Sequence, residues 1–192
     1  MTEGAQFRET FNRIVLEERF AQPLQAASLH GRLGAWTTAL TASVVESCGH
    51  LGWRASAKSH RLELLPEPRS EYLGMDVVAF GGEGKRWRFP LAVIELENQA
   101  RADRIGYSLW KVLCVRAALR AVFCYRKDAG EVSSLMNQLS RDVIASMGLT
   151  ERADLEGETL VVVGSRGDAG TFPYGFFHWW ELNRSTGKFE RI

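Results

Sequence analysis

The chain has 192 residues, 45% hydrophobic and 24% charged, with a formal net charge of +1. Those numbers describe an ordinary globular protein of one domain with ample core material, and they count against a chain drawn onto nucleic acid by its overall field, though not against a local basic patch. The three cysteines, Cys48, Cys114 and Cys124, form no CxxC pair, and the last two lie in apolar runs suited to buried reduced thiols.

The first twenty residues are studded with charge and lack the apolar stretch of a signal peptide, and no run is long enough to cross a bilayer. A cytoplasmic location is therefore expected. Phe7, Phe11, Ile14 and Val15 recur at helical spacing, which predicts an amphipathic helix over residues 5–20, with Pro23 past its end. A second helix is expected over 35–48, stopped by Gly49. From Trp53 the period becomes that of strands, through WRASAK and HRLELL to the breakers Pro66 and Pro68, then through YLGMDVVAF and RFPLAVIELEN. Asp103 can cap a helix over 104–119. A strand in AVFCYR, a helix over 132–147, a strand in TLVVVGS and a terminal hairpin turning at 185–187 complete the order α, β, β, β, α, β, α, β, β.

That order predicts an α/β (α+β) fold: a mixed central sheet flanked by helices, its middle strands apolar on both faces, with a C-terminal β-hairpin. There is no repeat or linker, so residues 1–192 are expected to form a single domain. Its helical part falls at about 5–48, its core at about 50–165 and its hairpin at about 172–192.

Acidic residues interrupt two of these strands. Asp76 lies in GMDVVAF, and Glu95 and Glu97 lie in AVIELEN, at the i and i+2 spacing that points both side chains to one strand face. Singly, each acid can face solvent or pair with a surface cation. Together, like charges so close call for a cation, solvent or a proton. A tight turn at Glu83-Gly84 sets Asp76 opposite Leu91, whereas a broad loop over GGEGKRWRFP sets it opposite Glu95. Pro90 cannot donate to a ladder, so a bulge or a late strand start is expected there. Three carboxylates on one patch suit a divalent ion, Mg²⁺ or Mn²⁺, which takes oxygen ligands and lowers the pKa of bound water.

The acids and the order of elements over about residues 35–126 resemble the PD-(D/E)XK nuclease superfamily, the restriction-endonuclease-like fold. The matching residues are Asp76 in MDVV, Glu95 and Glu97 in IELEN, and Glu46 in VVES on the preceding helix. The resemblance implies a deoxyribonuclease that hydrolyses DNA phosphodiesters. Asp76 and Glu95 would hold Mg²⁺ (or Mn²⁺), Glu97 would hold the ion or orient water, and Glu46 would complete a second metal position. Two positions depart from the family pattern. Met75 precedes Asp76 where proline is common, and Glu97 stands where the lysine is expected. Lys111 in IGYSLWK can supply the amine from the next helix, with Tyr107 also in reach, or it can snorkel to solvent from a half-buried helix.

Lys85, Arg86 and Arg88 around Trp87 form the densest basic stretch, and with Arg101 and Arg104 they can contact phosphates, Trp87 offering a stacking face. The other reading of GKRWRF is a solvated loop with one tucked-in ring. Arg116, Arg120, Arg126 and Lys127 look like ordinary surface. The aromatic run FPYGFFHWWEL reads as a packed hairpin, or as a partner surface if Trp179 or Trp180 faces out. No separate DNA-reading module is recognisable, so specificity would come from a partner subunit or a homodimer. The competing expectation is an inactive domain of the same fold that serves as a binding or assembly subunit.

Overall fold

Seven strands pair in chain order to form one mixed sheet, and helices cover both its faces in a computed structural model that describes residues 1–82 and 86–192. Three helices come first: α1 (Glu3–Ile14), α2 (Glu18–Leu29) and α3 (Leu33–His50). Strands β1 (Arg54–Ala57), β2 (Val77–Phe80) and β3 (Ala92–Leu96) run antiparallel to one another in turn. Helix α4 (Ala102–Leu113) then returns the chain so that β4 (Leu119–Arg126) lies parallel to β3. Helix α5 (Ala129–Asp142) and the short α6 (Leu149–Ala153) lead to β5 (Glu158–Ser165), parallel to β4. The antiparallel hairpin β6 (Phe177–Asn183) and β7 (Lys188–Arg191) closes the sheet.

Strand alternation divides the core in two. Phe7, Phe11, Leu24, Trp36, Leu40 and Val44 pack from α1, α2 and α3 on Val77, Ile94, Leu96, Phe123 and Val162. On the other face Ile105, Leu109 and Val112 of α4 and Leu135, Met136 and Leu139 of α5 pack on Val78, Val93, Val122 and Val163. All five residues of β3 are buried, as expected of a strand with helices on both sides. The fold class, the two-faced middle strands and the terminal hairpin are those the sequence predicts.

Several boundaries differ. The expected helix over 5–20 is two helices, and Pro23 lies inside the second. The ring occupies an exposed position, while Phe20, Leu24 and Ala27 at i, i+4 and i+7 are buried and hold α2 to the core. HRLELL makes no strand. The chain reverses at Ser59, in the left-handed region (φ 65°), and a single bridge links Ala57 to His60. The buried Ser56 hydroxyl then serves the loop in place of a ladder, accepting from Leu62 N and donating to Ser70 O. Residues 72–74 form a helical turn with Leu73 at φ 58° and Gly74 at φ 65°, so the strand starts only after Asp76. Helix α4 begins earlier and ends earlier than expected, and Asp103 sits in its first turn behind Arg101 as the capping residue. Helix α5 is capped by Asp128, which accepts from Gly130 N and Glu131 N, and it ends at Asp142. Cys48 and Cys124 are buried, with thiols pushed up to about 12 by desolvation, whereas Cys114 is exposed at the end of α4. Arg120 is buried too, its guanidinium donating to Val115 O and Glu156 O. Among the described residues no helix is long and apolar enough to cross a membrane.

Candidate active site

The β2–β3 register decides whether the acids meet. Val77 pairs with Ile94 and Ala79 with Ala92, so the same register carries Asp76 next to Glu95. This is the pairing that the broad loop allows. Ile94 and Leu96 face the three N-terminal helices, which leaves Glu95 with Val93 on the α4 face. Asp76 precedes Val77 and shares that face with Val78. The contacts are direct: Leu96 N donates to Asp76 Oδ2 at 2.7 Å, and Asp76 N donates to Glu95 Oε1 at 3.3 Å.

Helix α4 supplies the amine. Lys111 Nζ lies 2.8 Å from Glu95 Oε1 and donates to Gly74 O at 2.7 Å, tying the turn before Asp76 to the helix. Its side chain retains 24% exposure, and that of Glu95 only 8%. Ser108, three residues earlier on the same helical row, has its hydroxyl 3.5 Å from Glu97 Oε2. Glu97 lies one step beyond β3, where its N donates to Phe123 O and its Oε1 accepts from Gln99 N. Lys111 thus turns inward, away from the snorkelling alternative.

The charges do not balance locally. Desolvation holds the Asp76 carboxyl above the usual carboxylate range, and Glu71 and Glu97 add to this against the hydrogen bond from Leu96 and the pull of Lys111. Glu95 is raised for the same first reason, its partner Asp76 adding to it and the bond from Lys111 opposing it. One amine faces the buried Glu95 carboxyl and the half-buried Asp76 carboxyl, with further carboxylates at the margin.

Other expected site residues lie elsewhere. Glu46 pairs with Arg19 at 2.7 Å and with His50 at 3.5 Å. It stands five residues beyond Thr41, the last α3 residue in the cleft beside Asp76, which is about 7.5 Å along the helix and well round its circumference. It completes no second metal position. The basic stretch is also displaced from the acids. Arg86, Trp87 and Arg88 belong to the loop joining the end of β2 to the start of β3, whereas Asp76 precedes β2 and Glu95 is near the end of β3. At the strand rise, Ala92 alone is about 10 Å from Glu95, and the loop is farther still. Trp87 is 63% exposed, and Arg88 donates to Gly82 O. Lys85 lies outside the described residues. Arg101 and Arg104 do start the helix that leaves the acidic end of β3, Arg101 in an ion pair with Asp103 at 2.6 Å.

Sequence reasoning missed one wall of the site. A cleft of about 500 Å³ is lined by Thr37, Thr38 and Thr41 of α3, by Lys58 and His60, and by Glu71 and Asp76. Gly34, Thr37, Thr38 and Thr41 recur at helical spacing on one side of α3, a signal that was present in the sequence. Asn98, just past Glu97, donates from Nδ2 to the Thr37 hydroxyl, fixing the end of this helix to the strand exit. Arg126 secures the same segment by donating to Ala100 O.

Among the described residues no group of three or more His, Cys, Asp or Glu side chains is placed to hold a metal ion by itself. Asp76 and Glu95 offer two hard oxygen ligands whose negative charge Lys111 offsets only in part. That donor set suits Mg²⁺ or Mn²⁺ when water and a substrate phosphate complete the shell. Comparison with protein-family models, with curated proteins and with solved structures finds no match to this chain.

Proposed function

We propose that this chain is a metal-dependent phosphodiesterase acting on DNA, of the PD-(D/E)XK kind. The observation that carries the reading is the convergence of Asp76, Glu95 and the Lys111 amine from three separate elements at the buried edge of one sheet face. The residue that leads into β2, strand β3 and the crossover helix after them supply an acid, an acid and an amine, as the sequence resemblance implies.

In this reading Asp76 and Glu95 hold the ion, which when bound supplies a coordinated water of lowered pKa and neutralises charge on a phosphoryl oxygen. Lys111, held beside Glu95, would donate to the oxygen on which charge develops as the phosphodiester is attacked. Glu97 is positioned by Gln99 N and can accept a proton from the attacking water. Lys58 in the adjoining cleft offers an ammonium to a flanking phosphate.

A second reading is an inactive domain of the same fold that binds or assembles with a partner. It is favoured by the direct salt bridge between Lys111 and Glu95, which already occupies one metal-ligand oxygen, and by the lack of a third preformed ligand among the described residues. Plasmid nicking with Mg²⁺ or Mn²⁺, comparing wild type with Glu95→Ala, separates the two. Nicking that disappears in the variant supports the enzyme; plasmid and single-stranded DNA both left intact with both metals support the binding subunit.

A further inference from the structure

The most unusual exposed feature near the site is a pair of aromatic rings on α4. Tyr107 and Trp110 stack on each other, with ring centroids 5.8 Å apart and planes inclined by 28°. They are 56% and 52% exposed, on the side of the helix away from the buried Ile105, Leu109 and Val112. Two large rings in water invite something planar to cover them.

Their neighbours say what. Arg104 lies three residues before Tyr107, and Lys111 follows it by four, so cation, ring, ring and cation succeed one another along about 10 Å of helix. Lys111 reaches from this row to Glu95, so the row ends at the candidate reaction centre. Asp103, beside the start of the row, is engaged by Arg101. The Lys111 ammonium is committed to Glu95 and Gly74 O, so the charge this row opens to a ligand is Arg104. An exposed guanidinium beside two stacked rings suits a nucleic-acid strand, which presents both flat bases and phosphates.

We propose that the exposed row Arg104, Tyr107, Trp110 is a stacking platform for unpaired bases, and that the substrate strand is single-stranded where it crosses α4. This deepens the phosphodiesterase reading and rests on it for the position of the scissile bond. Bases within a duplex are already stacked and cannot lie on the rings, so a single strand is bound in preference to a duplex of the same sequence. Arg104 contacts a phosphate of the strand, and the rings take its bases without regard to sequence.

The test uses the full chain in EDTA, with fluorescence anisotropy of three labelled probes: a short single strand, the same strand with every base removed, and the corresponding duplex. Wild type is expected to bind the normal strand at least about tenfold more tightly than either other probe. Tyr107→Ala and Trp110→Ala are each expected to weaken the normal strand by about tenfold while leaving the abasic strand nearly unchanged, and Trp110→Phe to retain most of the affinity. Equal binding of normal and abasic strands, unchanged binding by both alanine variants (the behaviour of a surface that seats a protein instead), or no binding of any probe overturns the platform. Because no metal is present, the outcome is separate from nicking. A base-dependent platform on a protein that cuts nothing leaves this inference standing and removes the catalytic one.

Discussion

Replacing Asp76 with Asn tests the electrostatics of the candidate site without disturbing its geometry. The Asn carbonyl can still accept from Leu96 N, and only the negative charge is lost. Residues directly opposite in an antiparallel pair have Cα atoms about 5 Å apart. Two charges about 5 Å apart interact by roughly 3 kcal/mol at an effective dielectric constant of about 20. Lys111 offsets part of that, so Asp76→Asn is expected to stabilise the metal-free protein by about 1–2 kcal/mol at neutral pH, or roughly 3–6 °C in Tm for a chain of this size. The pH dependence has a definite sign. Both carboxyls are raised in the folded protein, so the folded state holds more protons than the unfolded one above the ordinary carboxylate range. Their favourable contribution is full below about pH 4 and is lost as pH rises through the folded-state values. Thermal unfolding followed by circular dichroism in EDTA, at pH 4.5 and 7.5, measures both effects. Wild type should gain less than Asp76→Asn on moving to pH 7.5, and Mg²⁺ should restore only the wild type. A lower Tm for Asp76→Asn at pH 7.5, or an identical pH response, refutes the idea of an acidic pair that Lys111 offsets only in part.

Lys111→Met is expected to cost about 3 kcal/mol in chemical denaturation, because it strands Glu95 in a buried place, and adding Glu95→Gln should recover most of the loss. Glu46→Ala should leave any nicking rate within about twofold and change stability by less than about 1 kcal/mol, since its ion pairs are exposed; a large kinetic defect would return Glu46 to the site. Arg88→Ala should leave single-strand affinity within about twofold, whereas Arg104→Ala should weaken it and reduce its salt dependence. Gly157→Ala should unfold the chain at reduced temperature by more than about 3 kcal/mol. The residue has φ 73°, and a Cβ there would sit 2.1 Å from Ala118 O.

Much of the fold was legible because its signals are local. Runs such as AVIEL and TLVVV announce buried strands, and the acids within them stand out against that background. The meeting of Asp76 with Glu95 was one of two registers open to the sequence, and only the breadth of the loop between them selects it. Lys111 could be named because it interrupts the apolar row of α4, yet its inward turn depends on Gly74 O and Glu95 converging from elsewhere. The failures are those of non-local geometry. Arg86, Trp87 and Arg88 are close to Glu95 along the chain, but they precede the start of β3, whereas Glu95 is near its end. Glu46 shares a helix with the cleft threonines and not their side of it. Arg120 reads as surface because nothing nearby in sequence shows that loops at Val115 and Glu156 will supply its acceptors. The strand expected in YLGMDVVAF starts late because Leu73 and Gly74 take left-handed conformations that ordinary β propensity does not reveal.

Calorimetric titration of Mn²⁺ into the metal-free protein, alone and with a single-stranded phosphorothioate oligonucleotide that resists cutting, addresses the shared role of Asp76 and Glu95 most directly. Uptake by wild type that is lost in both Asp76→Asn and Glu95→Gln is the expected result. No uptake under either condition, or uptake that survives both substitutions, would contradict a metal-holding carboxylate pair at this sheet edge.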